Sequence, residues 1–220
     1  MSTTTSRDLT PPYFRVMARL IRPFPNFDLW FIKSMRRKAV QLLELKPGNR
    51  VLDAGCGPGG SFRYLAEAVG ASGRVTGIEI SPEVAVNARN RISARSWTNV
   101  DVVVGNCESV PLTGKYDGML FLGAPDCFAS PKALDNLLPH LDDNGRIAIF
   151  SAKLTHRPLM AWSNQFFRKS FARATFDSTP PLDFEPWKLM EQRIGALEVQ
   201  EYFGGLFFLA SGPIRPNARS

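Results

Sequence analysis

Residues 51–60 read VLDAGCGPGG, and this stretch decides the fold. Apolar Val51 and Leu52 predict the end of a buried strand, Asp53 lies at its carboxyl end, and the glycines predict a tight turn into a helix over 61–70. Glycine alone lets backbone N–H groups approach a bulky ligand without a Cβ in the way. The stretch therefore predicts a strand, a ligand-binding loop and a helix, in that order.

The same alternation of strand and helix continues through the chain. We predict helices over 61–70, 82–95 and 131–141, and strands over 50–54, 74–80, 100–105, 116–123 and 145–151. Two Ser-Pro pairs predict an N-cap followed by proline at the first helical position: Ser81-Pro82 and Ser130-Pro131. Five such alternations with short loops indicate a parallel sheet covered by helices on both faces.

The C-terminal part of the chain follows a different pattern. Two β-rich runs over 197–203 and 206–210 flank Gly204 and Gly205, which is typical of an antiparallel hairpin. We therefore predict an α/β fold with a doubly wound, mostly parallel seven-stranded sheet that ends in an antiparallel hairpin. A length of 220 residues suits one domain over 1–220.

Composition excludes several classes of protein. The three cysteines, at 56, 107 and 127, lack C-x-x-C spacing, so neither a disulfide scaffold nor a metal site is favoured. No apolar run approaches the roughly 18 residues of a membrane span, and the polar start is unlike a signal peptide. A cytoplasmic location is the expectation.

The net charge of +7 is unevenly distributed. Residues 1–50 carry ten Lys/Arg against three acids, and residues 144–176 carry six Lys/Arg and no acid. Acids exceed bases over 51–143, the part that holds the glycine-rich loop. Two basic flanks therefore surround an acidic centre.

In an open parallel sheet, ligands bind beyond the carboxyl ends of the strands. Those ends carry Asp53, Glu79 and Asn106. Glu79 could accept hydrogen bonds from both hydroxyls of a ribose, Ile80 could pack on a purine, and Asn106 could contact its amino edge. For Asn106 and Cys107, a polar loop end and a small buried thiol remain equally simple explanations.

The spacing of Gly55, Gly57 and Gly60 also matches the dinucleotide fingerprint G-x-G-x-x-G. Asp53 argues against that interpretation, because a pyrophosphate requires N–H donors rather than a carboxylate. A carboxylate at the mouth of the loop suits a ligand that carries positive charge and hydroxyls. An NAD-linked oxidoreductase remains an alternative.

Five stretches of the chain resemble, in their order, the motifs of class I S-adenosylmethionine-dependent methyltransferases. They are VLDAGCGPGG at 51–60, GIEIS at 77–81, GNCESVPL at 105–112, KYDGMLFL at 115–122 and LLPHLDDNGRIAIF at 137–150. The resemblance covers roughly residues 36–151. It implies a Rossmann-like methyltransferase fold, an enzyme, and S-adenosyl-L-methionine as cofactor. The chain departs from the family at Asn106, where Asp is usual, and at residues 142–144, which replace a Pro and a Gly.

The resemblance also implies roles for individual residues. Asp53, Gly55, Cys56 and Gly57 would border the methionine part of the cofactor, and Glu79 would hold the ribose hydroxyls. The remaining cofactor contacts would come from Ile80, Asn106 and Cys107 at the adenine and from the backbone near Leu122 at the amino group.

The acceptor is inferred from the two basic flanks, which also carry many aromatic residues. In small members of the family such segments resemble a substrate lid, here over 1–35 and 152–190. The candidate substrate residues are Phe27, Trp30, Phe31, Trp162 and Phe166. Such segments can grip a hydrophobic acceptor or lie on an anionic membrane surface, but ordinary core packing with solvated basic faces explains them equally well.

The last β-rich stretch, 201–210, resembles quinone-ring C-methyltransferases and phospholipid N-methyltransferases. We therefore predict methyl transfer to a hydrophobic small molecule, either quinone-precursor-like or lipid-like. Methylation of nucleic acid or protein is an alternative, although the interleaved aromatic residues make nucleic acid the less favoured partner. A non-catalytic cofactor-binding subunit is another. No catalytic residue and no oligomeric state is predicted.

Overall fold

The computed structural model describes residues 30–155, residue 164 and residues 184–215. Within them lies one seven-stranded sheet of order β3-β2-β1-β4-β5-β7-β6. The strands are β1 Arg50–Ala54, β2 Arg74–Glu79, β3 Val100–Val104, β4 Tyr116–Leu122, β5 Leu141–Ala152, β6 Glu198–Tyr202 and β7 Phe207–Pro213. The first five strands run parallel and β7 pairs antiparallel with both β5 and β6, so the predicted fold class is confirmed.

Six α-helices are described, and most of them connect consecutive strands. They are α1 Trp30–Leu42, α2 Phe62–Val69, α3 Pro82–Ala94, α4 Pro125–Phe128, α5 Pro131–Leu137 and α6 Lys188–Ile194. Short 3₁₀ turns follow at Leu138–His140 and Phe203–Gly205. None of the helices within the described ranges is long and apolar enough to cross a bilayer.

The central position of β1 in the sheet explains its apolar sequence. Val51, Leu52, Asp53 and Ala54 are all fully buried, because β1 lies between β2 and β4 and has helices over both faces. Alternate side chains enter two cores: Leu52 and Ala54 pack on one face, and Val51 packs on the other. The loop at the end of β1 is therefore anchored on a rigid strand.

Two helices begin as the Ser-Pro pairs predict. The hydroxyl of Ser81 accepts a hydrogen bond from the backbone N–H of Val84 at 3.4 Å, and Pro82 follows at the first helical position. Ser130 accepts likewise from the N–H of Ala133 at 3.3 Å. These caps satisfy N–H groups that have no partner within the helix.

The fifth strand differs from its prediction at one end. It begins at Leu141 rather than at residue 145, and its pairing with β4 shifts between Leu141 and Arg146. Residues 142–145 lie between these two pairs and have no partner on β4, and the N–H of Asn144 donates to Asp142 Oδ1 at 3.1 Å. The polar run therefore makes an irregularity within the strand instead of a loop before it.

After the fifth strand, the structure describes the chain again from residue 184, and this segment packs into the core. Trp187 and Met190 are buried, and the ring of Trp187 lies 4.8 Å from that of Phe208 on β7. These two residues fall within 152–190, which was predicted as a lid. The lid over 1–35 overlaps the described residues only in the first turns of α1. Both lids remain predictions.

Candidate cofactor site

The glycine-rich loop turns because three glycines adopt positive φ: +74° at Gly55, +55° at Gly57 and +76° at Gly59. A Cβ at Gly55 would lie 2.5 Å from the Cβ of Ala124, so this glycine is required by close packing. A Cβ at Gly57 would meet no described atom within 4 Å. Gly57 therefore presents its backbone to open space at the carboxyl edge of the sheet.

Asp53 carries a buried carboxyl group at the end of β1, next to this loop. It is 0% exposed, and among the described residues neither of its carboxylate oxygens has a hydrogen-bond partner. Burial raises the pKa of Asp53 to about 7, against the lowering effect of the Arg36 charge and with a further increase from Glu79. An isolated buried carboxyl group is costly unless a ligand supplies its partner. Within the described residues, this is the strongest indication of a ligand site.

Arg36 is a site residue that the sequence interpretation missed. Its guanidinium lies against the loop so closely that a Cβ at Gly60 would come within 2.5 to 2.7 Å of it. The sequence places Arg36 in a run of four basic residues over 33–38, and nothing in that run distinguishes it from its neighbours. Only the phase of α1 and the packing of that helix beside the loop bring Arg36 to the site.

Glu79 closes the site from the end of β2. Its Oε2 accepts a hydrogen bond from Gly57 N–H at 3.0 Å, and its Oε1 accepts one from Ser81 N–H at 2.8 Å. Burial raises the pKa of Glu79, while these backbone N–H groups lower it. A carboxylate oxygen accepts more than one hydrogen bond, so both oxygens can still receive ligand hydroxyls. The structure thus joins Glu79 directly to the glycine-rich loop.

Asn106 and Cys107 follow β3 at the same edge of the sheet. The side-chain oxygen of Asn106 accepts a hydrogen bond from Glu108 N–H at 2.9 Å, which stabilises its own turn. Cys107 is buried, and its Sγ lies 3.0 Å from the Sγ of Cys127. Both residues therefore have a structural explanation beside the predicted contact with a ligand.

The remaining predicted cofactor residues lie at neighbouring strand ends. Ile80, half-buried, comes directly after β2, and Leu122, also half-buried, is the last residue of β4. Cys56 is buried in the loop itself, and burial raises the pKa of its thiol well above the usual value. The thiol is therefore protonated at neutral pH.

Asp126 is a second residue that the sequence interpretation missed. It lies in α4, just beyond the end of β4, and burial raises its pKa to about 6, with a smaller increase from Glu108. Its charge in turn raises the pKa of Glu79. The acidic character of 51–143 is thus partly concentrated at this edge, where Asp53, Glu79 and Asp126 converge. Such a group of carboxyls favours a ligand with positive charge.

A group of aromatic side chains, which we call the aromatic group, lies at the same edge of the sheet beside β5 and β7. Phe31 on α1 contacts Phe203 and Phe207 with ring centroids 5.0 and 5.7 Å away, and Phe150 stacks on Phe207 at 5.7 Å. Because β7 is antiparallel, Phe207 pairs with Ala152 at the carboxyl end of β5. Phe203 is 49% exposed.

The predicted substrate residues have different outcomes. Phe31 belongs to the aromatic group, and Trp30 is the first residue of α1, with a side chain that is not described. Phe27, Trp162 and Phe166 lie outside the described residues. The structure therefore brings one of the five side chains to the edge where Asp53 and Glu79 lie.

Comparison with known proteins decides the family. Residues 45–188 match the family described as "Methyltransferase domain", which is more than half of the chain. The chain belongs to the class I S-adenosylmethionine-dependent methyltransferases. This confirms the predicted family, the enzyme class and the S-adenosyl-L-methionine cofactor. The unpartnered carboxyl group of Asp53, the bare Gly57 and the Glu79 carboxylate fit a cofactor that carries a sulfonium, an amino group and ribose hydroxyls.

Several curated relatives share this methyltransferase region. The aklanonic acid methyltransferase DauC of Streptomyces sp. strain C5 is 34% identical over 132 residues, which are 58% of this chain and 59% of that protein. A protein-L-isoaspartate O-methyltransferase of Polaromonas sp. is 37% identical over 109 residues, which are 49% of this chain and 43% of that protein. The demethylmenaquinone methyltransferase of Shouchella clausii is 33% identical over 79 residues, or 36% and 34%. The chain spans about half the length, or less, of the curated relatives it matches.

A solved structure has the same architecture. A SAM-dependent methyltransferase from Aquifex aeolicus superposes with a TM-score of 0.61 at 22% identity, covering 93% of this chain and 98% of that one. At this identity the likeness establishes the architecture alone.

Proposed function

We propose that this methyltransferase transfers the methyl group of S-adenosylmethionine to a hydrophobic small molecule, either quinone-precursor-like or lipid-like. The observation that carries the proposal is the aromatic group beside the cofactor edge. Phe203 is half exposed although it is a large apolar residue, and it adopts a φ of +51°, which is rare for a bulky side chain. Backbone strain of this kind is concentrated at ligand sites.

In this proposal the cofactor is held by residues of α1 and of the carboxyl ends of the first four strands. Asp53 and Arg36 would face its charged amino-acid part, Gly57 would offer a backbone without a side chain, and Glu79 would accept hydrogen bonds from the ribose. Ile80, Asn106, Cys107 and Leu122 would line the adenine and the amino group. S-adenosylmethionine, when bound, supplies an electrophilic methyl group on a positively charged sulfur.

The protein's own contribution to the reaction is then positional. Acceptor atoms held about 3–3.5 Å from the methyl carbon gain an effective concentration worth on the order of 7–11 kcal/mol in favourable systems. The apolar rings of Phe31, Phe203 and Phe207 would hold such an acceptor and exclude water. A general base is needed only if the acceptor must lose a proton.

The names of the relatives support two classes of acceptor. Aklanonic acid and demethylmenaquinone, in the names of two of them, are consistent with a small-molecule acceptor. The isoaspartate methyltransferases, which match this chain over a similar length, favour a protein acceptor as the second candidate. The aromatic group, with its half-exposed Phe203, leads us to place the hydrophobic small molecule first.

The donor part of the proposal is tested by calorimetry on purified protein. We expect Asp53→Ala and Glu79→Ala each to weaken binding of S-adenosylmethionine by at least tenfold, because each removes a carboxylate from the site. Undiminished affinity in correctly folded variants would contradict the assignment of these residues. NAD binding in place of S-adenosylmethionine would instead support the dinucleotide alternative.

The acceptor part is tested with S-adenosylmethionine labelled in its methyl group and incubated with cell extract. We expect label in the organic-extractable fraction. Label confined to protein would favour the second candidate, and label confined to RNA would favour a nucleic-acid acceptor. Donor binding with no transfer into any fraction would favour a non-catalytic subunit.

A matched pair of variants tests the role of the aromatic group. We expect Phe203→Ala to lower the transfer rate with the organic-extractable acceptor several-fold while donor affinity stays unchanged. Val86→Ala is the control, because Val86 on α3 is equally exposed at 49%. Equal effects of the two substitutions on transfer would show that the aromatic group does not hold the acceptor.

A further inference from the structure

A cavity of about 520 Å³ lies against the glycine-rich loop at Gly60. We call it the basic cavity. Its lining includes four cationic residues from different elements: Lys33 on α1, Arg63 on α2, Arg91 on α3 and Arg95 after α3. None of the described residues that line it carries a carboxylate.

Part of this positive charge already has partners within the protein. Arg63 pairs with Glu67 at 2.8 Å, but both side chains are more than half exposed, and such surface pairs are weak. Lys33 and Arg95 are both exposed, and the described residues that line the cavity with them include no acid. Like charges gathered around one cavity create a positive potential that favours an anion.

The other lining groups suit a phosphate ester. The side-chain amides of Asn87 and Asn90 on α3 supply further N–H donors, and arginine guanidinium groups match the geometry of phosphate oxygens. The rings of Tyr64 and Trp97 add an apolar surface beside these donors. The lining thus combines charge, donors and an apolar wall.

The basic cavity also contacts the cofactor loop. Gly60 is part of its lining, and Nη1 of Arg91 lies 3.4 Å from the carbonyl oxygen of Gly59. A ligand in the cavity would therefore lie next to the loop that carries Gly57.

We propose that the basic cavity is a binding site for a phosphate group, carried either by a soluble phosphate ester or by the headgroup of an anionic lipid. This site is separate from the cofactor and acceptor sites, and its occupation requires neither methyl donor nor acceptor. The phosphate site can therefore be refuted while the proposed function is supported, and the proposed function can be refuted while the phosphate site is supported.

The test uses the full chain and two double variants. Lys33→Gln/Arg95→Gln removes two charges from the cavity, and the control Lys46→Gln/Lys132→Gln removes two exposed charges elsewhere. Circular dichroism verifies that both variants fold. Binding is measured by calorimetry with inorganic phosphate and glycerol 3-phosphate, and by flotation with vesicles of phosphatidylglycerol or of phosphatidylcholine in 150 mM salt.

We expect the cavity variant to lose at least tenfold in affinity for the phosphate probe or for phosphatidylglycerol vesicles, and the control to change less than twofold. Binding to the soluble probes identifies a free phosphate ester, and binding to anionic vesicles alone identifies a lipid headgroup. No binding in either arm would overturn the proposal. An equal loss of affinity in both variants would also overturn the proposal, because that result indicates binding by diffuse surface charge. Binding of RNA alone would overturn it for the same reason.

Discussion

Asp53 illustrates how a single side chain serves a site at the expense of stability. Its carboxyl group is fully buried, has no hydrogen-bond partner among the described residues, and has a pKa raised to about 7 by that burial. The neighbouring Arg36 charge opposes the shift but does not cancel it. A group that is costly in the free protein becomes favourable when a cationic ligand supplies the missing partner.

The raised pKa predicts that cofactor affinity depends on pH. A cationic donor binds better to the ionised carboxylate, and the ionised fraction of a group with a pKa of about 7 rises about tenfold between pH 6 and pH 8. We expect the affinity for S-adenosylmethionine to increase by about that factor over this range, measured by calorimetry. Asp53→Asn should remove the dependence. A slope that persists in the variant would assign it to another group.

The same pKa predicts a pH-dependent stability. The unfolded state loses the Asp53 proton near pH 4, and the folded state loses it near pH 7. The free energy of unfolding therefore falls between these two pH values and remains at the lower value above pH 7. The shift corresponds to a penalty on the order of 4 kcal/mol above pH 7. We expect Asp53→Asn without cofactor to unfold at higher urea concentration than the natural protein at pH 8, and at a similar concentration at pH 4. A destabilised variant at pH 8 would contradict this account.

At the scale of elements, the loop after β1 does two separate jobs. Gly55 lets the loop pack against α4 and the residue before it, whereas a Cβ at Gly57 would meet no described atom and the N–H of Gly57 donates to Glu79. Both need positive φ, but only the first has a neighbour that would clash with a Cβ. Two glycines of one motif therefore have different physical reasons to be glycine.

Alanine substitutions separate these two jobs. We expect Gly55→Ala to lower the free energy of unfolding by about 2–4 kcal/mol, through left-handed strain plus the contact with Ala124. Gly57→Ala should cost about 1 kcal/mol of stability from strain alone but weaken donor binding at least tenfold. Urea unfolding and calorimetry measure the two effects. If Gly57→Ala left donor affinity intact, the bare backbone would not face the cofactor.

At the scale of the whole molecule, the sheet gathers residues that are far apart in the chain. The three cysteines come from the glycine-rich loop, from the end of β3 and from α4, yet all three are buried, and Cys107 and Cys127 lie in contact. Burial raises the pKa of the Cys56 thiol, and the hydrogen bond with Cys107, together with burial, raises the pKa of the Cys127 thiol. Their reactivity therefore reports the integrity of the whole fold.

Thiol chemistry checks this convergence. We expect the folded protein to react only slowly with a disulfide reagent such as Ellman's reagent at pH 8, since buried protonated thiols are poor nucleophiles. Three equivalents should react at once in urea, one for each cysteine of the chain. Rapid reaction of any thiol in the folded protein would show that this edge of the sheet opens more readily than its burial indicates.

Much of the architecture and part of the site follow from local sequence. The strand ending at Asp53, the Ser-Pro caps of α3 and α5 and the hairpin around Gly204 are set by hydrophobic period, capping and turn chemistry, which act over a few residues. Asp53, Gly57 and Glu79 were predicted together because the carboxyl ends of neighbouring parallel strands must meet. The start of β5 was placed too late, because the polar run after Leu141 forms a bulge within the strand.

Sequence by itself determined the family, the doubly wound sheet and the loop that defines the cofactor edge. Tertiary structure alone decided that Arg36 reaches that loop, that Asp126 adds its charge to that edge, and that Phe31 meets Phe203 across 172 residues of chain. The physical reason is the separation along the chain over which each effect acts. Propensity and periodicity act between near neighbours, whereas helix phase and packing between distant segments place a side chain in a site.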